Sequence, residues 1–123
     1  MIVRLRLMNS LQVGSTLVVS KSPFVIGRHA DCDLIIRSPR VSVFHCSIVL
    51  GDNKACVKDM DSTNGTRVNG EPVTAPRELR PGDVLWVGPA RIEVAIDDGE
   101  AAILSDTGNY SSTNPYLNLA DLQ

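Results

Sequence analysis

The residues of this 123-residue chain best equipped for catalysis are His29 and His45, with Ser42 three positions before the second histidine. Either imidazole could serve as a base. On an extended chain, however, a three-residue spacing sends Ser42 and His45 to opposite faces, so a nucleophile–base pair would require a turn. There is no G-x-S-x-G elbow, phosphate-binding P-loop or G-x-G-x-x-G fingerprint. The run "RHADCDL" gathers His29, Asp31, Cys32 and Asp33, but its spacing fits no zinc or calcium pattern. Asp31 and Asp33 read instead as turn residues ahead of a strand at Leu34. The sequence therefore predicts no catalytic residue, no metal and no cofactor.

Three other stretches carry groups suited to holding an anion. "IGR" ends a strand and places Arg28 directly after Gly27; "SPRVSVFHCSI" supplies Arg40, Ser42 and His45. "DSTNGT" supplies Ser62, Thr63, Asn64 and the backbone N–H groups of a turn at Gly65. A phosphate is well met by a guanidinium fork, with hydroxyl, amide and backbone donors around its remaining oxygens. These loops hold that inventory. A second Asn-Gly step, Asn69-Gly70, lies five residues beyond Asn64-Gly65. One such step is enough for a tight hairpin. The first is assigned to the recognition loop and the second to a turn that returns the chain to a sheet.

Such loops must be carried on strands, and the body of the chain reads as strands. "IVRLRLM" puts Val3, Leu5 and Leu7 on one face and Arg4 and Arg6 on the other, the two-residue period of a half-buried strand. Further runs follow at 16–20, 23–27, 33–37, 45–50, 54–60, 84–88 and 90–96, separated by turn signals that include "GDNK", "TNG", "VNG" and "RPGD". No long 3.6-residue apolar period occurs in residues 1–96. Many short, closely spaced strands predict an all-β sandwich or barrel.

Composition narrows the function classes. Hydrophobic residues make up 43% and charged residues 21%, a globular balance. No apolar run approaches the roughly 18 residues of a membrane span, and the N-terminus lacks the pattern of a signal peptide. Cys32, Cys46 and Cys56 form no C-x-x-C pair and read as reduced thiols of a cytoplasmic protein. Residues 1–96 hold all twelve Lys and Arg against nine Asp and Glu, a net of +3, too weakly basic to predict nucleic-acid binding. Residues 97–123 hold five acids and no base. This acidic tail reads as linker. At its end Asn114 and Pro115 could open a helix of about eight residues, marginal alone in water.

Gly27-Arg28, Ser42-x-x-His45, Ser62-Thr63-Asn64-Gly65-Thr66, Val68-Asn69-Gly70 and the closing "LRPGDVLWVG" (79–88), in that order, resemble a forkhead-associated (FHA) domain over roughly residues 1–96. The resemblance implies a β-sandwich of about eleven short, mostly antiparallel strands that binds phosphothreonine peptides with loops at one end. Carried over by position, Arg28 would grip the phosphate, Ser42 would donate its hydroxyl, Asn64 would hold the peptide main chain and Thr63 would line the site. Arg40 would read the third residue after the phosphothreonine, an acidic one by charge complementarity. Gly27, His45, Gly65, Asn69 and Gly70 would give architectural support. Thr107 or Thr113, once phosphorylated, could bring the chain's own tail onto the site.

The sequence departs from the family at Val43. The position directly after the serine usually holds Arg, Lys or Asn, whereas a valine cannot donate from its side chain. A charge-assisted hydrogen bond contributes roughly 1.5–3 kcal/mol, so its loss would weaken binding roughly 10–150-fold. Val43 also motivates an alternative: a domain of the same fold that binds a protein partner without phosphate.

Overall fold

The structure, a computed structural model, describes residues 1–8 and 15–97 and the backbone of 116–117. Eleven strands occupy the body: β1 (Ile2–Leu7), β2 (Thr16–Val18), β3 (Phe24–Gly27), β4 (Leu34–Ile36), β5 (Cys46–Gly51), β6 (Lys54–Asp59), β7 (Thr66–Val68), β8 (Glu71–Pro72), β9 (Arg77–Leu79), β10 (Val84–Val87) and β11 (Ala90–Asp97). A twelfth, β12 (Tyr116–Leu117), comes from the tail. They form two six-stranded sheets, ordered β2-β1-β11-β10-β7-β8 and β12-β4-β3-β5-β6-β9. Pairing is antiparallel except where β4 lies between β3 and β12, both parallel to it. No described helix is long and apolar enough to cross a membrane.

The two-residue period decides which side chains go inside. Val3, Leu5 and Leu7 of β1 are buried, as are Leu85 and Val87 of β10 and Ile92 and Val94 of β11. They meet Ile26, Ile48 and Val57 of the other sheet in one apolar cluster. The outward arginines of β1 find carboxylates on β11: Arg6 pairs with Glu93 directly opposite, and Arg4 with Asp97 on the diagonal. The β-sandwich expected from the sequence is thus the observed fold.

Two features set where the loops emerge. β3 and β4 run parallel and point their C-terminal ends the same way, so the residues after Gly27 and after Ile36 leave from the same end of the sandwich. β5 enters and β6 exits at that end, because Cys46 pairs with Asp59. The segments 28–33, 37–45 and 60–65 therefore share one pole.

The tail corrects one expectation. Tyr116–Leu117 form a strand beside Ile35–Ile36 rather than the first turn of a helix. A helix of about eight residues has little stability of its own, whereas the outer edge of β4 offers backbone groups that another strand can pair. Thr107, Thr113, Asn114 and Pro115 lie outside the described residues.

Candidate functional site

Gly27 ends β3 because nothing larger fits. A β-carbon there would lie 2.4 Å from the Val43 carbonyl oxygen and 3.0 Å from the Phe44 α-carbon. This close approach lets the next residues bond to the 41–43 segment. The Arg28 amide donates to the carbonyls of Ser42 (3.0 Å) and Val43 (3.1 Å), and the His29 amide donates to Val43 (3.1 Å). The Arg28 side chain follows: its Nε donates to the Val41 carbonyl at 2.9 Å. The exposed guanidinium is aimed by that bond, and among the described residues no carboxylate pairs with it.

Ser42 is tied at both ends. Its amide donates to His45 Nδ1 at 3.0 Å, and its Oγ accepts from the Thr63 amide at 3.0 Å. The hydroxyl hydrogen therefore remains available to donate elsewhere. His45 is fully buried. With Nδ1 accepting, the ring proton sits on Nε2, which donates to the Gly65 carbonyl at 2.9 Å. The imidazole thus bridges the 37–45 and 60–65 loops, and it meets the amide of Ser42, not its hydroxyl.

Asn64 closes the same junction from above: its Nδ2 donates to the Arg40 carbonyl at 2.9 Å. Its Oδ1 has no partner among the described residues. Arg40 is exposed on the 37–45 loop, where its amide bonds to Ser38 Oγ at 3.2 Å. Arg28, Arg40, Ser42, Thr63, Asn64, His45 and Gly65 are therefore gathered at one pole. Asn69 and Gly70 are not. They turn β7 into β8 with φ of 54° and 87°, at the end of β7 away from Gly65. Asn69 Oδ1 accepts from the Val84 amide, and its Nδ2 donates to Asp83.

Two contributors are not evident from the sequence. Asp59, at the end of β6, braces the 60–65 loop. It accepts from the Ser62 amide (3.0 Å), Ser62 Oγ (2.6 Å) and Thr66 Oγ1 (2.6 Å). Burial works to raise its pKa, but the Ser62 and Thr66 hydrogen bonds and nearby His45 prevail and hold it below the ordinary value. The Asp-x-x-Ser spacing of a side-chain-capped turn is its sequence signal. The second is a cleft of about 440 Å³ lined by Arg40, Asn64, Gly65, Arg67, Trp86, Gly88 and Arg91. Val43 and Phe44 stand 40% and 42% exposed beside Ser42, and Phe44 stacks on His29 at 5.0 Å.

An exposed guanidinium, a serine hydroxyl and an asparagine amide are thus brought to one pole of an eleven-stranded sandwich. The FHA domain family matches residues 24–88, and the chain belongs to that family. It is 36% identical over 74 residues to proliferation marker protein Ki-67 of Mus musculus, covering 60% of this chain and 2% of that protein. It is 35% identical over 79 residues to the glycogen accumulation regulator GarA of Mycobacterium tuberculosis, covering 64% of this chain and 48% of GarA. The match thus extends over about half of GarA and a small part of Ki-67. An FHA domain solved in a study of phosphothreonine-dependent FHA domain interactions superposes with a TM-score of 0.73 at 32% identity, covering 80% of this chain and 99% of that one.

Proposed function

We propose that this chain is a non-catalytic module that reads phosphothreonine in a protein partner. Arg28 grips the phosphate, Ser42 donates its hydroxyl to a phosphate oxygen, and Asn64 holds the peptide main chain beside Thr63. The observation that carries this reading is the aim of Arg28. Its Nε is fixed on the Val41 carbonyl, one residue before Ser42. A phosphate on the guanidinium then lies within reach of that hydroxyl. Phosphorylation adds about −1.5 to −2 charges and three strong acceptors. The matching donors are already held by hydrogen bonds, so little ordering cost falls on the protein. Recognition through arginine is general among phospho-motif readers, FHA domains included. Arg40 would favour an acidic residue three positions after the phosphothreonine. The free thiols Cys32, Cys46 and Cys56 fit a reducing, cytoplasmic setting.

The test is a fluorescence-polarisation titration of a Thr-phosphorylated peptide library against the wild type and Arg28→Ala. Loss of at least about tenfold in affinity is expected from removing a charge-assisted contact. Equal binding by both proteins would end this reading. The exposed side chains of Val43 and Phe44 favour a second one, in which a partner docks without phosphate. Phosphatase treatment of a lysate would then leave the captured partners unchanged.

The tail is proposed as an intramolecular competitor. β12 runs parallel to β4, so the chain enters it at the end away from the binding loops. Docking of Tyr116–Leu117 on β4 and capture of a phosphorylated Thr113 by Arg28 are therefore alternatives. Phosphorylation would choose between them.

A further inference from the structure

The outer face of the first sheet carries a row that the phosphothreonine site does not use. Trp86 of β10 is paired directly with Arg67 of β7 on one side and with Arg91 of β11 on the other. Directly paired residues share a face, so the three side chains stand side by side. Arg91 lies over the Trp86 ring, 4.2 Å from its centroid, and donates to the Gly88 and Ala90 carbonyls. Arg67 donates to the Gly70 carbonyl at 3.1 Å. With strands about 4.8 Å apart, the two arginine backbones are about 10 Å from one another. Arg40 approaches from the loop of the other sheet and completes the lining of the cleft.

The chemistry of this cleft is one-sided. Three guanidiniums line it and no carboxylate does. A single carboxylate is satisfied by one guanidinium fork. Three forks around an open space of about 440 Å³ suit an anion with more charge and more acceptor oxygens. A phosphoryl group has both. The cleft also adjoins the site already described, because Asn64 and Arg40 line it and Thr63 reaches Ser42. Arg40 and Ser42 are at most roughly 7 Å apart along the chain. An extended ligand anchored at Arg28 would therefore reach the cleft within about two to four residues.

We propose that the cleft of Arg40, Arg67, Arg91 and Trp86 is a second phosphate subsite, so that the preferred ligand is a peptide phosphorylated twice. This rests on the phosphothreonine reading for the first phosphate, but the cleft can be tested apart from it. Trp86 is the single tryptophan and reports directly on the cleft.

Peptides with one phosphothreonine are compared with peptides that add a phosphoserine two, three or four residues later, and with peptides that place aspartate there instead. Affinity is read by polarisation of a labelled peptide, and cleft occupancy by Trp86 emission. At one spacing the second phosphate should tighten binding at least about tenfold and change Trp86 emission. Arg67→Gln and Arg91→Gln, each checked for an unchanged melting temperature, should lose that gain while keeping affinity for the singly phosphorylated peptide. Equal affinity for singly and doubly phosphorylated peptides at every spacing would overturn the proposal. So would an aspartate gain as large as the phosphoserine gain. Inorganic phosphate titrated into Arg28→Ala separates the two sites. A saturable Trp86 response that Arg67→Gln abolishes supports the cleft even where the phosphothreonine reading fails, and the absence of any response counts against it.

Discussion

The buried imidazole of His45 donates through Nε2 to the Gly65 carbonyl, 2.9 Å away and twenty positions along the chain. Its other nitrogen accepts from the Ser42 amide. One fully buried ring therefore fixes the distance between the loop that offers the Ser42 hydroxyl and the loop that offers Asn64. The two loops from which the proposed site is drawn are thus tied together by one histidine.

Replacing that ring tests its structural role. His45→Ala leaves the Ser42 amide and the Gly65 carbonyl without partners and opens a cavity. A loss of about 2–5 kcal/mol in unfolding free energy is expected in urea titrations. Peptide affinity should fall as well, through displacement of Ser42 and Asn64. Unchanged stability would mean that backbone contacts alone hold the two loops.

Gly27→Ala acts on the other wall of the site. The added methyl would sit 2.4 Å from the Val43 carbonyl oxygen, so β3 or the 41–44 segment must move. Overpacking of this kind costs about 1–3 kcal/mol. The Arg28 amide bonds to Ser42 and Val43 should loosen with it. Amide hydrogen exchange at Arg28 and His29, faster than in the wild type, is the direct readout.

Much of this arrangement is legible in the chain. The alternation of Val3, Leu5 and Leu7 with Arg4 and Arg6 specifies β1, and Asn69-Gly70 is a turn by composition alone. β7, β8 and β9 escape notice because two or three residues cannot display a period and, unlike the equally short β2 and β4, they contain no apolar run. The Arg67–Trp86–Arg91 row is invisible for a different reason. Those residues become neighbours through strand register, and register is a property of paired strands. Asp59 is likewise read as the end of a strand, and its loop-bracing role emerges only once Ser62 and Thr66 fold onto it.

The pH dependence of stability should carry the mark of Asp59. Its folded-state pKa lies below the ordinary value of 3.8. The ionised form is therefore the one favoured by folding, and its contribution is complete above the unfolded pKa. The contribution fades as pH falls through 3.8 toward the lower folded value. The stability difference between wild type and Asp59→Asn should be constant near neutrality and shrink below about pH 4. A difference independent of pH down to acid unfolding would remove Asp59 from this role.

The cysteines should separate by reactivity. Burial pushes the Cys46 thiol up to about 12 and raises Cys32 as well. Cys56, on β6, is partly exposed. Native-state alkylation at pH 8, followed by mass spectrometry, should label Cys56 first. Cys46 should be modified at the rate of global unfolding, since the thiolate is the reactive form. Labelling of Cys46 as fast as Cys56 would show that the core around β5 opens locally.

The last expectation concerns residues 97–123. They carry five acids and no base beside a body of net charge +3. On the proposed reading, a tail of that charge would compete electrostatically with an anionic ligand for the arginines at the pole of Arg28 and Arg40. Charges in solvent are screened beyond about 8 Å at physiological ionic strength. Deleting the tail should therefore tighten phosphopeptide binding at low salt, and the advantage should shrink as salt is added. Deletion of 114–123 alone keeps four of the five acids and removes the β12 pairing with Ile35 and Ile36. If charge is the cause, this shorter deletion should recover little of the gain. If pairing on β4 is the cause, it should recover most of the gain, and salt should matter little. No change in affinity with either deletion at any salt concentration would leave the tail without a role in binding.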